Sequence, residues 1–155
     1  MRIQGTHHLN APVERVYQSL IDPEVLQRCI PGCERLEKTG KNEYSATIGA
    51  GVGSIKGVFT GIVRLEDMRP PEYYRIVVEA KGTPGFVKGS GDFDLEPDGE
   101  GMLIKYTGDL QVGGMIASVG QRLIQGTAKM LASRFFTSLE EEVKSAQGNA
   151  AGFAP

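Results

Sequence analysis

The residue types in this chain that could do chemistry are two cysteines, two adjacent histidines and several tyrosines. Three residues separate Cys29 from Cys33, and His7 and His8 lie side by side on a predicted strand. A structural zinc site takes four ligands, whereas adjacent strand residues point to opposite faces of a sheet. Redox-active cysteine pairs are separated by two residues rather than three. The sequence therefore predicts no metal centre and no cofactor, and two reduced thiols are typical of a cytoplasmic protein.

The predicted strands divide into an apolar face and a charged face, because side chains alternate along a strand. By this alternation, no aspartate, glutamate or lysine falls on the apolar face. The polar groups on that face are His7, Tyr44, Tyr74 and Tyr106. A hydrolase or cyclase needs a positioned acid and base, or an activated nucleophile. This set could hold a carbonyl or act as a weak base, but a packed core histidine with tyrosines at a cavity mouth is the interpretation we favour.

Glycine is unusually frequent, at 21 of 155 residues. Residues 49–53 read Gly-Ala-Gly-Val-Gly, but they precede a strand rather than a helix, which is not typical of a nucleotide loop. Glycines on apolar strand faces either let a sheet curve or leave room for a guest. Small residues also recur on the predicted long helix, at Gly120 and Gly126. We therefore predict an apolar cavity, which leucine at Gly91 or Gly108 is expected to fill with the fold retained.

Length and charge narrow the classes of function. A chain of 155 residues suits one domain, predicted over residues 1–147, with a disordered tail over 148–155. Its 17 basic and 19 acidic residues are interspersed, which argues against a nucleic-acid partner. There is no secretory leader and no apolar run long enough to cross a membrane, so a cytoplasmic protein is expected.

The elements that position these residues follow from apolar periodicity and turn signals. A first strand, 2–9, precedes two short helices, of which the second is capped by Asp22 and begins with Pro23. Six strand-like segments follow, separated by turns rich in glycine, proline and asparagine. Apolar residues at three- and four-residue steps predict one long helix over 115–146. This order indicates an α+β fold built on an antiparallel meander.

The segment that begins at Asp22 carries a family resemblance. Asp22-Pro23, Leu26 and the run Cys29-Ile30-Pro31-Gly32-Cys33-Glu34 resemble the CoxG-like proteins, a family of carbon monoxide dehydrogenase subunits. That family belongs to the START-like (SRPBCC) helix-grip superfamily. The resemblance covers the chain to about Ala146. It implies a curved seven-stranded antiparallel sheet that wraps a long C-terminal helix, with the two short helices after the first strand.

The resemblance also implies a function. CoxG-like proteins are non-catalytic accessories of carbon monoxide dehydrogenase-type molybdenum hydroxylases, associated with membrane recruitment or with the quinone pool. The implied partners are a quinone or lipid-like hydrophobic molecule, molybdenum hydroxylase subunits and, transiently, the inner face of the membrane. A monomer and a homodimer both stay open. The alternative is a polyketide cyclase or aromatase of the same fold, in which His7 and the tyrosines would enolise a carbonyl substrate.

The apolar strand faces and the predicted helix together give a candidate ligand site. Its polar end is expected near Tyr106 or His7. Apolar residues also fall near two loop tips, 84–87 and 113–116, where they would suit a lipophilic guest, a membrane surface or local packing. The predicted ligand-binding residues are Ile48, Val52, Phe59, Val63, Tyr74, Phe93, Tyr106, Met115, Leu123, Met130 and His7.

Overall fold

All seven predicted strands and both predicted short helices form. The computed structural model describes the backbone of residues 1–153 and the side chains of residues 1–145. The order is β1 (Arg2–Leu9), α1 (Val13–Ile21), α2 (Pro23–Cys29), β2 (Cys33–Gly40), β3 (Glu43–Val52), β4 (Ile55–Arg69), β5 (Tyr73–Gly82), β6 (Gly85–Asp98), β7 (Gly101–Gly113), a 3₁₀ segment (Met115–Val119) and α3 (Gln121–Phe153). The predicted tail covers residues 148–155. Its side chains and its last two residues lie outside the described part, so the disorder predicted there stays a prediction.

The seven strands form one antiparallel sheet in the order β1-β7-β6-β5-β4-β3-β2. Helix α3 reaches both flanks of this sheet. The Gln125 side-chain amide donates to the Arg2 carbonyl of β1 at 3.4 Å. On the other flank, Leu123 Cδ2 lies 3.3 Å from the point where a Cβ on Gly53 would stand, in the turn between β3 and β4. The sheet therefore curves around the helix, which confirms the predicted helix-grip fold.

Burial along the strands follows the predicted alternation. In β1, Ile3 and Leu9 are buried whereas Arg2, Gln4 and His8 are exposed. The fully packed core lies at one end of the molecule, where α1 and the middle of α3 cover the sheet. Its most buried side chains include Leu9, Val16, Tyr17, Leu20, Met102, Ile104, Phe136, Leu139 and Val143.

The long helix begins later than the periodicity predicts. A helix was expected from Met115, but residues 115–119 form a 3₁₀ segment and α3 begins at Gln121. Gly120 separates the two with a φ of 98°, a conformation in the left-handed region that glycine adopts without steric penalty. The break changes the helical phase of every residue that follows it.

The corner between α2 and β2 is fixed by backbone contacts. The Asp22 carboxylate accepts a hydrogen bond from the Glu24 N–H at 2.9 Å, as expected for the cap of α2. Beyond α2, Gly32 has a φ of 76°, and its carbonyl accepts a hydrogen bond from the Gly49 N–H of β3 at 2.8 Å. A Cβ on Gly32 would overlap the Gly49 carbonyl oxygen. Only glycine therefore lets the corner approach β3 this closely.

Replacing Gly32 with alanine tests this requirement. Gly32→Ala should lower the free energy of unfolding by at least about 2 kcal/mol, because it adds left-handed strain and a backbone overlap. Gly40→Ala is the matched control, since a Cβ there meets nothing closer than 3.8 Å. Urea unfolding of both variants measures the difference. Equal stability of the two would show that the corner is not held by this contact.

Candidate ligand-binding cavity

A cavity of about 370 Å³ lies between the concave face of the sheet and α3. Ile48, Val63 and Phe93 line it from the sheet. Leu131 and Phe135 line it from the helix. A smaller void of about 140 Å³ adjoins it and shares four of the lining residues, Ile76, Val78, Phe93 and Tyr106. The cavity volume falls within the range of small-molecule sites.

The corner between α2 and β2 forms one wall of the larger cavity. Leu26, Ile30 and Pro31 all line it. Because Gly32 is joined to Gly49, this wall is attached to the neighbouring strand β3. The run that carries the family resemblance therefore shapes the space between sheet and helix.

Three tyrosines bring polar atoms to an otherwise apolar lining: Tyr44, Tyr74 and Tyr106. The Tyr44 hydroxyl donates to the Ile21 carbonyl at 2.6 Å, which occupies its proton. Burial raises the pKa of Tyr74 and of Tyr106, so both hydroxyls stay neutral at physiological pH. The three side chains can donate or accept a hydrogen bond, but none is prepared to act as a base.

A fourth tyrosine lies behind this lining. Tyr17 meets Tyr74 edge to face, with 5.8 Å between the ring centroids. Tyr17 is 1% exposed, and its hydroxyl has no hydrogen-bond partner among the described residues. Burial also raises its pKa. A buried hydroxyl without a partner costs stability, so this end of the core is held by packing rather than by polar contacts.

The structure brings together five of the eleven predicted ligand-binding residues. Ile48, Val63, Tyr74, Phe93 and Tyr106 all line the cavity. A ligand role for the whole predicted set stays a prediction.

The other six predicted residues lie elsewhere. His7 stacks on Phe136 with 5.4 Å between the ring centroids, and Phe59 is buried in β4 away from the lining. Val52 lies at the end of β3. The remaining three are exposed: Met115 by 56%, Leu123 by 45% and Met130 by 50%.

The lining residues missed by the sequence-based prediction include two groups outside the strands. One is the corner wall, whose approach to the cavity depends on a contact with a distant strand. The other is the inner face of α3, where Leu131, Ala132 and Phe135 lie. The one hint for the second group was Gly120, where the helical phase restarts, but a glycine in a helical pattern does not by itself predict a break. In the helix that begins at Gln121, Ile124 is buried, whereas the predicted residue Leu123 is exposed.

At most glycines on the concave face of the sheet, an added Cβ would contact a neighbouring side chain or the backbone of an adjacent strand. A Cβ on Gly5 would lie 2.6 Å from the Tyr106 hydroxyl, so this glycine makes room for the tyrosine. At Gly91 a Cβ would lie 2.8 Å from the Thr107 carbonyl oxygen. Gly91 and Gly108 do border the smaller void, but leucine at Gly91 would press on the Thr107 backbone, so retention of the fold in that variant stays a prediction. The backbone of the adjacent strand would have to move.

The thiols show no feature of a reactive site. Cys29 is 1% exposed, and burial raises the pKa of its thiol to about 11. Burial also raises the pKa of Cys33, which remains partly exposed. Both thiols are therefore neutral at physiological pH, and thiolates are the form that attacks or binds metal. Among the side chains of residues 1–145, no group of three or more metal-ligating residues gathers.

The cavity lining contains no charged side chain and no histidine among the residues that the structure describes. General acid–base catalysis and nucleophile activation most often use such groups. The arrangement can exclude water and hold an apolar molecule, with tyrosine hydroxyls available to its polar atoms.

The family match agrees with this geometry. Residues 5–144 match the carbon monoxide dehydrogenase subunit family CoxG. The chain belongs to the CoxG family. The match spans the sheet, the corner wall and the part of α3 that covers the cavity. Family and START-like fold together indicate a ligand-binding accessory role.

Solved structures show the same fold over nearly the whole chain. A conserved protein from Geobacillus kaustophilus is 37% identical, with a TM-score of 0.90 and coverage of 94% of this chain and 97% of that one. A START superfamily protein from Mycobacterium smegmatis is 14% identical, with a TM-score of 0.73 and coverage of 94% and 98%. The Zhui aromatase/cyclase from Streptomyces sp. R1128 is also 14% identical, with a TM-score of 0.69 and coverage of 93% of each chain. No curated protein matches the chain.

Within the described residues, no helix combines the length and the apolar character needed to cross a bilayer. The long helix α3 carries charged residues along its exposed side, among them Arg122, Lys129 and Arg134.

Two tyrosine variants test the polar contacts behind the cavity. Tyr17→Phe removes a buried hydroxyl without a partner, so the free energy of unfolding should stay the same or rise by up to about 1 kcal/mol. Tyr44→Phe should lower it by about 1 kcal/mol, because the Ile21 carbonyl loses its donor. Urea unfolding of the two variants, which delete the same atom, gives the comparison. A larger loss from Tyr17→Phe would show that its hydroxyl does have a partner in solution.

Proposed function

We propose that this CoxG-family protein is a non-catalytic accessory protein that binds a hydrophobic small molecule between its sheet and α3. The observation that carries the proposal is the cavity of about 370 Å³, whose lining is apolar apart from three tyrosine hydroxyls. Burying each methylene group of a ligand contributes about 0.8 kcal/mol. An aliphatic ligand therefore gains affinity from this lining without any charged contact.

A quinone or another lipid-like molecule suits the distribution of side chains. Phe93 has its ring centroid 5.1 Å from that of Tyr74 and 6.3 Å from that of Tyr106. Phe136 adds a further ring, 5.6 Å from Tyr106. This aromatic cluster offers faces and edges against which a planar head group can stack. Aliphatic side chains, such as Ile48 and Leu131, continue the lining for a hydrocarbon tail.

The partner that we propose is a molybdenum hydroxylase of the carbon monoxide dehydrogenase type. Membership of a family named for a component of that enzyme supports this choice. In this role the protein would carry its ligand to or from the enzyme and make peripheral contact with the inner face of the membrane. Binding rather than turnover is what a lining without charged groups supports.

The alternative is a cyclase or aromatase acting in the same cavity. Its support is the shared fold with the Zhui aromatase/cyclase, a likeness that shows the fold alone. A cyclase would need polar groups along its cavity to hold and enolise a polyketide. The described lining offers only the tyrosine hydroxyls, and His7 lies outside it.

Filling the cavity from α3 tests the binding role. Ala132 lines the cavity, whereas the next residue, Ser133, is exposed on the outer side of the helix. Ala132→Phe should weaken binding of a fluorescent apolar probe, 1-anilinonaphthalene-8-sulfonate, and of a short-chain ubiquinone that displaces it. We expect a loss of about tenfold, equivalent to ~1.4 kcal/mol. Ser133→Phe adds the same ring outside the cavity and should bind both compounds like the parent protein.

Mass spectrometry of the organic extract from natively purified protein complements these titrations. A stoichiometric quinone or lipid supports the carrier role and names the cargo. If Ala132→Phe binds both compounds with unchanged affinity while remaining folded, the cavity is not the binding site. Conversion of an added polyketide substrate by the parent protein would instead establish the cyclase.

A further inference from the structure

Acidic residues are absent from three segments of the chain, although the whole sequence has 19 of them. The segments are 49–63, 80–91 and 110–130. They contain five exposed cations, Lys56, Lys81, Lys88, Arg122 and Lys129. None of the ion pairs formed among the described side chains uses any of the five. The nearest carboxylate in strand register is Glu79, which lies opposite Lys88.

The three segments meet at one end of the molecule. Pro84 packs over Gly57, which joins the turn between β5 and β6 to strand β4. The Ile116 N–H donates to the Pro84 carbonyl at 2.9 Å, and this joins the 3₁₀ segment to the same turn. Leu123 lies over Gly53, in the turn between β3 and β4. We call this end, formed by the β3–β4 turn, the β5–β6 turn, the 3₁₀ segment and the first turn of α3, the loop end.

The opposite end of the sheet carries more acidic than basic side chains, although Lys38, Lys41 and Arg69 also lie there. Asp67 and Glu72 flank the turn between β4 and β5. Asp98 and Glu100 flank the turn between β6 and β7. The formal net charge of −2 therefore conceals a separation of charge along the strands. Such a separation orients a protein with its cationic end toward a negative surface.

Exposed apolar side chains follow the same segments. The described side chains include five large exposed hydrophobics, and all five lie in the segments without acids: Val58, Ile62, Met115, Leu123 and Met130. Two of them, Met115 and Leu123, belong to the loop end itself, where they are 56% and 45% exposed. Apolar tips ringed by unpaired cations are typical of surfaces that enter a lipid headgroup layer.

We propose that the loop end docks on an anionic lipid surface. Met115 and Leu123 enter the boundary between headgroups and acyl chains, while Lys56, Lys81 and Arg122 contact lipid phosphates. The three cations belong to three different elements and end in flexible side chains, which suits mobile headgroups better than a fixed protein partner. This proposal shares with the proposed function only the membrane as a partner. It does not require a ligand in the cavity.

Vesicle binding by the full chain, stripped of any bound lipid, tests the proposal. The protein should co-sediment with equimolar phosphatidylcholine–phosphatidylglycerol vesicles, and not with phosphatidylcholine alone. Lys56→Glu/Lys81→Glu should weaken this binding by at least about 25-fold, since each cation near an anionic surface contributes about fivefold. Met115→Asp should weaken it further. The matched control is Lys38→Glu/Lys41→Glu, which makes the same change in net charge at the acidic end and should bind like the parent.

Three outcomes would overturn the proposal. One is the absence of binding to anionic vesicles at low salt. Another is an equal loss from Lys38→Glu/Lys41→Glu, which would show that net charge alone governs the interaction. The third is a homodimer in sedimentation that Met115→Asp dissociates, which would assign the loop end to a second copy of this chain. Binding of 1-anilinonaphthalene-8-sulfonate to the same variants reports separately on the cavity, so failure of docking is distinguishable from failure of the ligand-binding role.

Discussion

The packing of α3 in the curved sheet is the constraint on which the rest of the structure depends. Phe136, Leu139 and Val143 are almost fully buried, and they fix this part of the helix against α1 and the sheet. Toward its beginning the helix buries less, and Ile124 is its one large side chain there below one-tenth exposure among the described residues. A helix fixed at one end and only lightly packed at the other leaves space above the sheet. The cavity begins where this close packing ends, since Leu131, Ala132 and Phe135 line it just before the buried stretch.

The polar atoms around this space are arranged to keep it neutral. Tyr44 is hydrogen-bonded to the backbone, and burial holds Tyr74 and Tyr106 in their protonated forms. The thiol of Cys29 is also kept neutral by its burial. An apolar guest thus meets no charge that would lose its hydration on binding. Charged side chains lie instead on the outer face and at the ends of the sheet, and the loop end is the part without acidic residues.

Much of the fold could be predicted from the sequence because its signals are local. Alternation along the strands, Asp22 as a cap and glycine- or proline-rich turns each act within a few residues. The site was harder to predict from the sequence, because its lining depends on contacts between distant segments. The approach of Gly32 to Gly49 is one such contact. In addition, apolar periodicity did not predict which residues of α3 face the sheet after the break at Gly120. Glycine is tolerated within helices, so the restart at Gln121 had no unambiguous sequence marker.

The contact between Gly32 and Gly49 has a consequence for how relatives of this protein are recognised. The corner must keep a glycine where the chain turns toward β3, whatever molecule the cavity holds. Ile30 and Pro31 touch the cavity, but most of its lining comes from strands and from α3, whose apolar residues can exchange for one another. A homologue could therefore retain the whole corner and accept a different cargo. Similarity in this short run identifies a shared architecture, and cargo has to be compared at the strands and the helix.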